Sequence, residues 1–212
     1  FGLAKPLALR FMSTEVFVRR RNVWLGLTVV AFASPSFWLY ALAALPTLYW
    51  LGKKDPNPLA VYLLMLHVVP PMAIDIPTVV INNLFEVSNF RILAFALLLP
   101  ALVATMSQGR MQWGTFWRFD LFVFAFAGLQ LILLVPYEGL THTMRRGFLY
   151  SIDSILIYLV VSRLGMDKRK LADAMSALVL SAAIMAAVAV FDPLMAEKAA
   201  QDMMKIITTR SV

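Results

Sequence analysis

A chain of 212 residues with 61% hydrophobic and 15% charged side chains has too much apolar surface for a soluble domain, where roughly 25% of residues are charged. Its net charge of +7 sits in short clusters between apolar runs, a pattern of membrane-flanking charge rather than of a nucleic-acid surface. With no cysteine, disulfides, thiol nucleophiles and thiolate metal sites are excluded. The expected fold is all-α: a polytopic transmembrane helix bundle forming one domain over residues 1–212. The chain begins at Phe1 with no cleavable signal pattern, and it is expected to be part of a longer protein.

Residues 1–21 mix apolar and basic side chains. Two readings are open: an interfacial helix using Leu7, Phe11, Val16 and Phe17, or a frayed terminus ending in a basic anchor. Residues 23–51 are apolar but interrupted by Ser34-Pro35-Ser36, which fits either one kinked helix or a hairpin of helices 23–33 and 37–51. Further apolar runs cover 58–74, 92–106, 120–136, 148–163 and 174–191. Most fall short of the ~20 residues that span a bilayer, and flanking Trp, Tyr and Arg extend them into the interface.

Basic residues decide between the two readings of 23–51, because cytoplasmic loops are rich in Lys and Arg. With the hairpin and a cytoplasmic N-terminus, thirteen of the Lys and Arg before Phe191 lie inside, and only Arg91, Arg145 and Arg146 lie outside. A single helix would divide them evenly. The sequence therefore predicts about seven membrane segments, including a short N-terminal hairpin, with the N-terminus in and the tail 192–212 out.

On that topology Arg145 and Arg146 form a basic pair on the side poor in basic residues. In a helix from about residue 143, spacings of three and four place Arg146, Tyr150 and Asp153 on one face with Thr143. Ionisable groups at such depth usually face a bundle interior or cavity, and the forked guanidinium suits phosphate oxygens. Arg145, Arg146, Tyr150 and Asp153 are the candidate substrate-binding residues, for a lipid-linked phosphate or diphosphate. The competing reading has Arg145 snorkelling to headgroups and Arg146 paired with Glu138 or Asp153. His142 is a weak catalytic candidate, with Glu138 as its orienter. His67, inside an apolar run, reads as a buried, satisfied histidine.

The outer loop 75–91 has an amphipathic character that suggests a short interfacial segment or a polar connecting loop. Gln130 is expected to hydrogen-bond a neighbouring helix. Trp113 and Trp117, beside Arg110 and Arg118, read as an inner aromatic belt. No phosphate-binding glycine loop, nucleophile elbow or zinc helix motif occurs, and two distant histidines make no metal site. No cofactor is expected.

The hairpin VWLGLTVVAFASPSFWLYALAALPTLYWLGKK, the run FRILAFALLLPAL after an outer loop, and THTMRRGFLYSIDSILIYLVVSR with its outward arginines recur in one known layout. Together with LADAMSALVLSAAIMAAVAVFDPL, they resemble the N-terminal half of the bacterial O-antigen ligase and polymerase-like family of membrane proteins. The resemblance covers most of residues 20–195 and rests on order and topology. It implies metal-independent transfer of a glycan from undecaprenyl diphosphate at the periplasmic face of the inner membrane. The outward arginines would hold the diphosphate, and Arg145 and Arg146 match by position. The family carries its key histidine in a large periplasmic loop of its second half; this sequence stops at Val212, before any such loop, and that role does not pass to His142. The implied partners are membrane lipid, a polyprenyl-diphosphate-linked glycan and protein partners in a membrane complex, with no nucleic acid. The rival expectations are a non-enzymatic scaffold subunit and a lipid or small-molecule transporter.

Overall fold

The computed structural model describes residues 12–66, 73–76, 85–109, 117–163, 168–187 and 189. The segment 1–11, His67, Trp113 and the tail 192–212, all assigned roles from sequence, lie outside these.

The first helix, α1 (Thr14–Ala33), starts nine residues earlier than the apolar run. Its start is set by Ser13, whose side chain accepts from the Val16 amide at 3.4 Å, and by Glu15 in the first turn, both of which suit the positive end of a helix. Of the segment 1–21, residues 14–21 are two turns of α1, and Phe17 and Arg20 on them are buried. After Ser34-Pro35-Ser36 the chain enters α2 (Phe37–Lys54), with Ser36 capping the Leu39 amide. Arg19 donates to the Lys54 carbonyl at 2.8 Å, so the start of α1 meets the end of α2 and the two form an antiparallel hairpin.

Helix α3 (Pro58–Met65) opens on proline, which costs nothing at a first helical position. Almost every residue of it is buried, and a helix apolar all round belongs at the centre of a bundle. Strands β1 (Ala73–Ile76) and β2 (Phe85–Ser88) come next, antiparallel, with Ala73 opposite Ser88 and Ile76 opposite Phe85. Residues 73–76 and 85–88 thus form a ribbon where a short interfacial segment or a polar connecting loop was expected. FEVS alternates apolar and polar residues, which is a strand pattern.

Helix α4 runs Asn89–Ser107 and contains one π-turn at Ala94–Leu98. Beyond it lies a helical run, Trp117–Arg163, that is broken at Gly139. Unbroken, it would hold residues 120 and 158 about 57 Å apart, yet Tyr158 Oη donates to Asp120 Oδ1 at 2.6 Å. The run is therefore a hairpin of α5 (117–138) and α6 (140–163). Gly139 has φ 79° and ψ 165°, a conformation open essentially to glycine alone. Close approach of the arms is set by Gly147, where an added Cβ would lie 3.0 Å from a Leu131 methyl. The last described helix is α7 (Lys168–Ala187).

Apart from the ribbon, the described elements are helical. Three helical stretches are long and apolar enough to cross a membrane: α4, the folded run α5–α6, and α7. The core gathers around α3, with Ala44, Leu48 and Leu51 of α2, Leu97 and Leu98 of α4 and Val160 of α6 almost fully enclosed. Helix α5 stands outside it and exposes Trp117, Phe119, Phe122, Phe126, Leu129 and Ile132. That apolar exterior is what lipid tolerates and water does not. Gln130, expected to bond a neighbouring helix, is exposed on α5.

One end of the bundle is basic and is held by a buried staple. Arg20, 2% exposed, donates through Nε and Nη2 to both Asp55 carboxylate oxygens at 2.8 and 2.6 Å. Through Nη1 and Nη2 it also donates to both oxygens of Asp173, at 2.8 and 3.0 Å. Asn57 adds its backbone amide to Asp55 and its side-chain amide to Asp173 and to the Lys170 carbonyl. These bonds tie α1, the end of α2 and the start of α7 together.

Candidate functional site

The hairpin α5–α6 builds the site. Helix α5 ends at Glu138, Gly139 turns the chain, and α6 starts at once, its first turn steadied by Thr143 Oγ1 donating to the Gly139 carbonyl at 2.9 Å. In that first stretch, His142, Arg145, Arg146 and Leu149 recur at spacings of three and four and share one face. With Glu138 they line an open cavity of about 580 Å³. The unpaired N–H groups in the first turn of α6 point toward this end and add their partial positive charge to that of the two guanidinium groups.

Arg146 is ion-paired with Glu138 at 2.9 Å, and the two side chains are 62% and 28% exposed. An exposed pair of this kind contributes at most about 1 kcal/mol, so a multiply charged phosphate could displace the carboxylate. Arg145 is half-buried on the same wall.

Three of the five residues singled out from sequence, His142, Arg145 and Arg146, thus meet in one cavity, and the Arg146–Glu138 pair named as the competing reading forms there too. Tyr150 and Asp153 do not line it. Asp153 lies inside a π-turn, Ser151–Ile155, which adds a residue to the turn and rotates the helix from there on; Tyr150 precedes that turn, stays one regular turn beyond Arg146 and is half-buried. Asp153 instead accepts from Arg91 of α4, at 3.0 Å from Nη2 and 3.3 Å from Nε. Beside that pair, Tyr40 donates to Asn89 at 2.8 Å, so the start of α2, the start of α4 and the middle of α6 share a polar layer. The π-turn of α4 lies just after Arg91, and that of α6 contains Asp153.

Sequence reasoning placed Arg91 in a loop and Arg20 in a tally of basic residues, and so missed the buried Arg20 staple and the partly buried Arg91–Asp153 pair. The available signal was Asp173, an acid inside LADAM, and Asp55, an acid after two lysines; each needed a cation from a distant segment. Asp120 is a third case. It accepts from Tyr158 and is ion-paired with the fully enclosed Arg163, closing the open end of the α5–α6 hairpin. Among the described residues no group of three or more His, Asp or Glu side chains is arranged to hold a metal ion.

Comparison with family models finds no match for this chain, and the same is true of the curated proteins and of the solved structures. The functional reading therefore rests on the side chains of the cavity and on the membrane character of the helices around it.

Proposed function

We propose that this chain is the membrane portion of a glycan ligase or polymerase-like protein, and that it holds undecaprenyl diphosphate at the periplasmic face of a bacterial inner membrane. The observation that carries the reading is the convergence of Arg145, Arg146 and His142 on one open cavity at the α5–α6 turn. In this reading the chain has seven membrane segments with its N-terminus inside. Support comes from the hairpins at 34–36 and at Gly139, which put Arg20, Lys54 and Lys168 at the end opposite Arg145.

The chemistry rests on charge. The glycosyl carbon–oxygen bond to the diphosphate breaks as the acceptor hydroxyl attacks, and the electron pair stays on the diphosphate. Two guanidinium groups stabilise the charge that develops there, an effect typically worth 10²–10³-fold per donor. The acceptor's proton goes to a general base, a role that the resemblance puts in the large loop of the family's second half and not on His142, which lines this wall with Glu138. The polyprenyl tail lies along the apolar exterior of α5.

A second reading has its own observation. Because Arg146 is already paired with Glu138, the pair is also suited to anchoring a non-enzymatic scaffold subunit at the headgroup level. The two separate in a reconstituted assay with lipid-diphosphate-linked glycan. Arg145→Ala and Arg146→Ala are each expected to lower transfer at least a hundredfold while the protein stays inserted and folded. Undiminished transfer in both variants removes the assignment, and absence of polyprenyl diphosphate binding by the wild type leaves the scaffold.

A further inference from the structure

At the basic end, a trough runs along the first turns of α1 beside the last turn of α2. It is about 540 Å³ and its lining includes Val18, Val23 and the Trp50 ring, with Glu15, Arg19 and Asn22. Lys54 Nζ sits 4.3 Å from the centre of the Trp50 ring, and Lys53 Nζ 4.6 Å from that of Tyr49. Cations held over aromatic faces at the end of an apolar helix occupy the level where lipid headgroups lie.

The charge at this place is only partly taken up by the fold. Asp55 is held mainly by Arg20 and Asn57, with Arg19 in a longer ion pair at 3.9 Å. Arg19 spends one bond on the Lys54 carbonyl, which fixes its guanidinium at the rim of the trough. Glu15 and Arg19 are the charged residues on the lining, and Lys54, held over the Trp50 ring of that lining, adds a second cation at its edge.

We propose that this trough is a binding site for one anionic phospholipid. An acyl chain lies against Val18, Val23 and Trp50, and the headgroup phosphate is met by Arg19 and Lys54. The complementarity is of two kinds at once. An apolar floor takes hydrocarbon, and a basic rim takes a phosphate that carries no compensating amine. Basic pockets between helices on the basic face of a membrane protein recognise anionic headgroups in this way. The site is separate from the Arg145 cavity and stands whether or not glycan transfer is correct.

The test uses the full chain in nanodiscs of equal phosphatidylglycerol and phosphatidylcholine, with native mass spectrometry counting the lipids retained on release. Phosphatidylglycerol is expected to be retained in preference. The Arg19→Gln/Lys54→Gln variant is expected to lose that preference by roughly tenfold, and Arg118→Gln, on an exposed cation at the same end, to keep it. A photoactivatable phosphatidylglycerol on the wild type should label residues 14–23 and Trp50, which decides the matter if the double variant fails to fold. Equal retention of both lipids, unchanged preference in a folded double variant, or labelling elsewhere overturns the proposal. Displacement of the lipid by inorganic phosphate alone would mean a free-anion site and would overturn it too.

Discussion

Replacing Arg20 with alanine tests how much of the fold hangs on the staple. The guanidinium is 2% exposed and bonds all four oxygens of Asp55 and Asp173, whose side chains are 0% and 7% exposed. Removing one member of a buried ion pair usually costs about 3–5 kcal/mol, because the remaining charge stays desolvated. Here two carboxylates lose their cation together. Asn57 still donates to both and Arg19 remains 3.9 Å from Asp55, which holds the expected loss near the lower value, about 3 kcal/mol. Against a total stability on the order of 5–15 kcal/mol this is a large fraction. Reversible unfolding in mixed micelles of rising SDS fraction, followed by tryptophan fluorescence, measures it. Arg20→Lys should fall between, since one ammonium cannot fork to two carboxylates. A loss under about 1 kcal/mol for Arg20→Ala, the worth of an exposed pair, would refute the reasoning.

The same assay reads three further changes. Gly139→Ala meets no atom within 4 Å but must hold φ 79°, so it should cost about 1–3 kcal/mol through backbone strain alone; no loss would mean that the turn relaxes freely. Asp120→Asn keeps the shape but removes the charge facing Arg163 and Tyr158, and about 1–3 kcal/mol should go with it. For Arg91 and Asp153, a double-mutant cycle should give a coupling of about 1 kcal/mol, the low end for contacting residues, because the Asp153 side chain is 42% exposed. A coupling of zero would show that the pair does not set α6 against α4.

Much of the frame was legible because local signals agreed with one another. Ser34-Pro35-Ser36 breaks a helix, and Ser36 then starts the next one. The distribution of Lys and Arg chose the hairpin, and the bond from Arg19 to Lys54 closes it. The α5–α6 turn falls between the expected runs 120–136 and 148–163, but its permissive residue, Gly139, was not read from the sequence, and the face shared by His142, Arg145 and Arg146 differs from the Arg146, Tyr150 and Asp153 face expected. The parts that escaped the sequence have two causes. A π-turn leaves no clear mark in composition, so Asp153 was placed with Arg146 when it belongs with Arg91. Partners far apart in the chain, such as Arg20 and Asp173, are invisible to any local rule. The early start of α1 is different: Ser13-Thr14-Glu15 is a readable cap, overlooked because the arginines after it looked like a membrane border.

The distance along the chain between the members of the staple sets an order of events. Arg20 and Asp173 are separated by 153 positions, and ribosomes deliver the arginine first. Until α7 has been made, the N-terminal hairpin has only Asp55 to balance that charge. The arrival of Asp173 is then the step that ties α1 and α2 to α7, so the N-terminal hairpin is not finished until α7 has been made.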